Sequence, residues 1–131
     1  MLYHDFRGRK CEEIERAKAV RSYTLDSVAI PPRITEWLGL IYTGYLEAPE
    51  SGIYTFELMS DDGSRLFLDD ELLIDNDGPH GPVTRTAQRA LAAGWHRLRV
   101  EYFDMNNGGE LTLRWATPSE PELHTLTGLK H

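Results

Sequence analysis

Ile53-Tyr54-Thr55-Phe56-Glu57-Leu58-Met59-Ser60 decides the fold. Tyr54, Phe56 and Leu58 fall on one face and Thr55 and Glu57 on the other, the period of two that a half-buried strand needs and a helix cannot use. The pattern recurs in both directions along the chain. Leu66 and Leu68 repeat it between Arg65, Phe67 and Asp69; His96, Leu98, Val100 and Tyr102 alternate with Arg97, Arg99 and Glu101; Leu111, Leu113 and Trp115 alternate with Thr112 and Arg114. From Glu36 onward the chain therefore reads as short strands of an all-β, mostly antiparallel sandwich or barrel with minor helix. Tyr54, Phe56, Leu58, Leu66, Leu68, Leu98, Val100, Leu111, Leu113 and Trp115 are its expected core.

Turn chemistry separates these runs at Pro49-Glu50-Ser51-Gly52, Asp62-Gly63, Asp77-Gly78-Pro79, Ala93-Gly94 and Asn106-Asn107-Gly108-Gly109. Trp37 to Leu46 is more continuously apolar and is expected as a central strand covered on both faces, its glycines permitting a bulge or close approach. In the less regular first 35 residues, Cys11 to Lys18 predicts a short helix with Ile14 and Ala17 inward, and Pro31-Pro32 marks an extended entry to the first long strand. No role is assigned to residues 1–33 beyond this, and no internal repeat is visible.

The chain has 131 residues, one domain's worth, with 40% hydrophobic and 27% charged side chains, ordinary for a soluble fold. Fourteen Lys and Arg against 21 Asp and Glu leave a net charge of -7, which repels nucleic acid and anionic membranes and favours cations. No apolar run reaches the length of a membrane span, and Met1-Leu2-Tyr3-His4-Asp5 lacks the basic start and apolar stretch of a signal peptide. The expectation is a cytosolic protein or an excised domain. The single cysteine, Cys11, excludes an internal disulfide and is expected as a partly buried small side chain.

The five histidines lack zinc-site spacing, and no nucleophile elbow, phosphate loop or dinucleotide fingerprint is present. His80, in Gly78-Pro79-His80-Gly81-Pro82, reads as a solvated loop residue or a ligand contact. Acidic residues stand out in Ser60-Asp61-Asp62-Gly63-Ser64, in the loop Asp75-Asn76-Asp77-Gly78, and at Asp104. Carboxylates and loop carbonyls are the hard ligands calcium takes, six to eight at a time. An EF-hand is excluded: with Gly78 sixth, the first and twelfth positions are Leu73 and Thr84, and with Gly63 sixth the first is Leu58. Adjacent Asp61 and Asp62 in a regular strand point to opposite faces, so both reach one ion only across an unusual peptide, for which a cis bond serves. The alternative is a plain Asp62-Gly63 hairpin turn with Asp61 solvated.

Tyr42-Thr43-Gly44-Tyr45-Leu46-Glu47-Ala48-Pro49-Glu50-Ser51-Gly52-Ile53-Tyr54-Thr55-Phe56, then Ser60-Asp61-Asp62-Gly63-Ser64-Arg65-Leu66-Phe67-Leu68-Asp69, resembles the PA-14 domain family, named after a domain of anthrax protective antigen. Ala93-Gly94-Trp95-His96-Arg97-Leu98-Arg99-Val100-Glu101-Tyr102-Phe103 and Gly109-Glu110-Leu111-Thr112-Leu113-Arg114-Trp115 resemble its last strands, so the likeness covers 34–118 within one domain, 1–131. Asp75 to Gly81 is most similar to members beside secreted bacterial glycosidases.

The resemblance implies a non-catalytic carbohydrate-binding accessory module of a larger secreted or surface protein. In the fungal adhesin branch two consecutive aspartates joined by a cis peptide hold calcium, and calcium binds sugar hydroxyls; they match Asp61 and Asp62. The same resemblance implies a side-chain ligand at Asp104 and backbone carbonyls near Asn106 and Gly108. The family's usual residue at the Asp104 position is asparagine, and three carboxylates exceed the ion's charge, strengthening cation attraction while weakening the ion's pull on a neutral sugar. Sugar-contacting residues vary in the family and carry no assignment here. Two other classes compete: a structural module docked on a neighbouring catalytic domain, marked by a large apolar patch, and a glycosidase, which needs two carboxylates about 5–10 Å apart across a cleft. No motif supports the glycosidase.

Overall fold

The computed structural model describes residues 2–4, 10–16, 28, 30, 38–105 and 109–130. Its strands are β1 (Leu2–His4), β2 (Leu38–Ala48), β3 (Gly52–Asp61), β4 (Ser64–Leu68), β5 (Glu71–Asn76), β6 (Val83–Leu91), β7 (Gly94–Asp104), β8 (Glu110–Ala116) and β9 (His124–Thr125). All pair antiparallel, in one sheet of order β1-β2-β7-β4-β5 and another of order β6-β3-β8-β9. The only helix among the described residues is a 3-10 turn, Cys11–Arg16.

The ten residues expected in the core are all buried, from 0% exposed for Tyr54 to 8% for Trp115. They fill the space between the two inner faces, with the Trp115 and Tyr54 rings stacked at 5.3 Å. Alternation was a sound guide because each sheet turns one face to the other and one to solvent.

Three local expectations change. The segment beginning at Trp37 is not covered on both faces along its length: Gly39, Leu40 and Ile41 are buried, but Thr43, Tyr45 and Glu47 are exposed. The cover is the 3-10 turn, whose Cys11 and Ile14 form a second small core with Ile41 and Phe103. Six residues of 3-10 helix extend only about 12 Å, against about 37 Å for the eleven residues of β2. The middle strand of that sheet is β7, not β2. Asp62-Gly63 is not a hairpin turn, because β3 and β4 lie in different sheets and the turn is a corner between them. Asp75 and Asn76 end β5 rather than lying in the following loop.

Helix at Cys11 is present, while Trp37, Ala17, Lys18, Pro31 and Pro32 lie outside the described residues. Cys11 is fully buried, not partly, and burial, followed by the charge and hydrogen bond of Asp77, pushes its thiol far up, away from thiolate chemistry.

Candidate metal centre

The sheet-to-sheet corner places Asp61 at the end of β3, Asp62 just past it, and Asp104 at the end of β7. One carboxylate oxygen from each lies within 4.8 Å of those of the other two. Two oxygens bound to one calcium at about 2.4 Å can be at most about 4.8 Å apart, so the spread suits a shared ion. The Asp61-Asp62 peptide is cis. Asp104 is 2% exposed, whereas Asp61 and Asp62 are half-buried.

The corner is built by backbone bonds between β7 and the turn. Asp62 N–H donates to Phe103 O at 3.1 Å, and Phe103 N–H donates to Gly63 O at 3.0 Å. The Asp62 carboxylate accepts backbone N–H groups at both oxygens, from His80 at 3.0 Å and Met105 at 2.8 Å, so its orientation is set from two loops. Tyr102 donates its hydroxyl to Asp61 O at 2.6 Å. Burial, then Asp104, Asp61 and Asp62, drive that hydroxyl far upward, so it remains a donor. Gly109 closes the other side: a Cβ there would lie 2.3 Å from Tyr102 Oη and 2.6 Å from Asp104 Oδ2. Only glycine lets the returning chain pass so near the carboxylate.

Beneath the turn, Ser60 donates to Asp62 O at 2.7 Å and its Oγ lies 2.6 Å from that of Ser64. Asn76 donates to Ser60 Oγ at 3.2 Å and to Val83 O at 2.9 Å. Ser60, Ser64 and Asn76 are buried and satisfied, and they hold the two sheets together at this corner.

The electrostatics favour a cation. The Asp61 carboxyl is held above its ordinary value, chiefly by burial and then by the charges of Asp62 and of Glu110, its cross-strand partner. All of the assembled side-chain donors are carboxylate oxygens, which suits calcium and not the nitrogen and sulfur preference of zinc.

The sequence-expected ligands Asp61, Asp62 and Asp104 are thus brought together, while Asn106 and Gly108 lie outside the described residues. His80 is not a simply solvated loop residue: its Nε2 lies 2.7 Å from Asn76 O and its Nδ1 2.6 Å from Gly81 O, and its backbone braces Asp62. Ser60, Ser64, Asn76 and Tyr102 were not anticipated as parts of the site. The signal for the serines was visible, since both fall at inward positions of otherwise apolar strands.

Comparison with known proteins supports this architecture. Anti-sigma-I factor RsgI3 of Acetivibrio thermocellus is 32% identical over 80 residues, covering 60% of this chain and 12% of its own length. A solved anti-sigma factor domain-containing protein superposes with a TM-score of 0.78 at 23% identity, covering 98% of this chain and 45% of that one. The PA14 sugar-binding domain from an RTX adhesin gives 0.61 at 25% identity, covering 72% and 54%. The chain thus spans a small part of the curated relative and about half of each solved chain. PA14 domains are non-catalytic accessory or binding modules, and no helix among the described residues is long and apolar enough to cross a membrane. The PA14 domain model matches residues 2–123, and the chain belongs to the PA14 domain family.

Proposed function

We propose that this domain is a calcium-dependent glycan-binding module of a larger extracellular or surface protein. The carrying observation is the convergence of Asp61, Asp62 and Asp104 within 4.8 Å at one corner of the sandwich. Likeness to an adhesin's sugar-binding domain supports the ligand class.

Asp61, Asp62 and Asp104 hold the cation, with carbonyls of Asn106 and Gly108 as further ligands. A bound calcium supplies positive charge and open coordination positions for neighbouring hydroxyl groups. The chain's own contribution is preorganisation. Backbone donors from His80 and Met105 fix Asp62, and Tyr102 pins the Asp61 carbonyl, so these two residues need little ordering in the binding step.

A glycan array run in calcium and then in EGTA tests this. Retention of a defined glycan class in calcium, lost in EGTA and in Asp104→Ala, is the expected result. If no glycan on the array is retained more strongly in calcium than in EGTA, the reading is sunk. A second reading, a structural module docked on a neighbouring domain of its parent, draws support from the match to 12% of a much longer anti-sigma factor.

A further inference from the structure

Among the described residues, the 3-10 turn covers one end of the outer face of the five-stranded sheet, where Cys11 and Ile14 pack on Ile41 and Phe103. Beyond it, a cavity of about 350 Å³ opens on the β2-β7-β4 surface, lined by Thr43, Tyr45, Phe67, Asp70, Arg97 and Arg99 among others. Tyr45 is 44% exposed, and Trp95, farther along the same face of β7, is 51% exposed. The register sets Tyr45 opposite Arg97, and Thr43 and Phe67 on either side of Arg99. One face of the Phe67 ring carries the Arg65 guanidinium, 5.0 Å from its centroid.

The charges here are matched. Arg97 pairs with Asp70, and Arg99 pairs with Glu101, which also takes Arg65. With both lining arginines, Arg97 and Arg99, already partnered by carboxylates, the cavity presents little net charge to attract either an anion or a cation. What remains is a mix of aromatic surface, a threonine hydroxyl, guanidinium donors and a carboxylate acceptor. That mix suits a neutral ring with an apolar face and a rim of hydroxyls. Its volume is at the lower end for small-ligand sites, and a stable protein partner would need a far larger buried area.

We propose that this cavity is a second carbohydrate site, independent of metal, in which a neutral pyranose ring lies against Tyr45 and Phe67 and hydrogen-bonds to Thr43, Arg97 and Asp70. It is separate from the metal corner: Arg97 and Asp104 lie seven residues apart on β7, about 24 Å, and on opposite faces of the sheet. The site stands whether or not the corner binds an ion.

The test is a neutral-oligosaccharide array probed in excess EGTA, followed by calorimetric titration of the best-retained sugar. Relative to wild type, Tyr45→Ala and Arg97→Gln should each weaken binding about ten-fold. Both altered side chains are largely exposed, so folding is expected to survive, and unchanged far-ultraviolet dichroism checks it. The proposal is overturned if no neutral glycan is retained in EGTA, or if Tyr45→Ala and Arg97→Gln both bind as wild type. Self-association that Tyr45→Ala abolishes, without sugar binding, would assign the face to a protein partner and equally overturn it.

Discussion

Replacing Asp61 by asparagine should reverse its effect on stability between EGTA and calcium. Without metal, Asp61 faces Asp62 and Asp104 with ligand oxygens no more than 4.8 Å away, and Glu110 lies across the strand pair. At that separation a like-charge pair costs about 1 kcal/mol with water-like screening and about 3 at an effective dielectric of about 20. Asp61 is half-buried at the mouth of the site, so the lower figure applies. Asp61→Asn in EGTA should therefore gain about 1 kcal/mol, or about 4 °C in Tm for a chain of 131 residues. In calcium at a hundred times the dissociation constant, wild type should gain about 2.7 kcal/mol by mass action, about 10 °C. Most of that gain should be missing from the variant, so wild type becomes the more stable of the two. Calorimetric melts in EGTA, calcium and magnesium read this directly, with magnesium giving the smaller shift because it demands six ligands at about 2.1 Å. If the two proteins melt in the same order in all three buffers, no shared ion is bound by these carboxylates.

Two further outcomes follow from the packing and the charges. Gly63→Ala would place a Cβ 2.5 Å from Phe103 Cε1 and 2.8 Å from Gly78 N, so urea unfolding should show a loss of about 2–3 kcal/mol at unchanged m, and a loss under about 0.5 would contradict the geometry. Burial opposes charge on His96, but its hydrogen bonds to Ala92 O at 2.7 Å and Asp69 at 2.6 Å outweigh this and raise it. On Asp69 burial is likewise outweighed by His96 and Arg97, which lower it. The His96 contribution is therefore complete below the ordinary value of about 6.5 and fades as pH rises through the raised one, while that of Asp69 fades only on acidification past its ordinary value. His96→Ala should cost about 1 kcal/mol near pH 5.5 and progressively less at alkaline pH, and a pH-independent difference would refute the clamp.

The parts of this fold that were readable and those that were not differ by a physical criterion. β3, β4, β7 and β8 each turn one face inward, and burial writes that face into the sequence as a period of two. β6 is an edge strand of Thr, Arg, Ala and Gln with exposed side chains for most of its length, so burial leaves little mark on it. The β4–β5 turn was missed for a different reason. Asp69 and Asp70 adopt φ of 50° and 68°, a conformation that glycine usually signals, and here Asp69 is instead held by His96 and the Arg97 N–H from β7.

Asp61 and Asp62 pose the harder case, because whether they form a solvated hairpin or converge on Asp104 depends on β3 and β4 lying in different sheets. No local pattern contains that information, and family resemblance supplied it. One local clue was nonetheless available. Ser60 and Ser64 occupy inward positions, in strands whose other inward residues are Tyr54, Phe56, Leu58, Leu66 and Leu68. A hydroxyl facing a core must find a partner or cost stability, so two of them bracketing Asp61-Asp62-Gly63 imply a buried polar knot at that point. Such a knot is expected where a chain leaves one sheet for the other, since backbone groups at the crossing lose their ladder partners. Ser60 and Asn76 answer that need here, at Asp62 O and Val83 O. The serines are therefore the residues from which the corner, and with it the approach of Asp61 to Asp104, is most nearly derivable by physical argument alone.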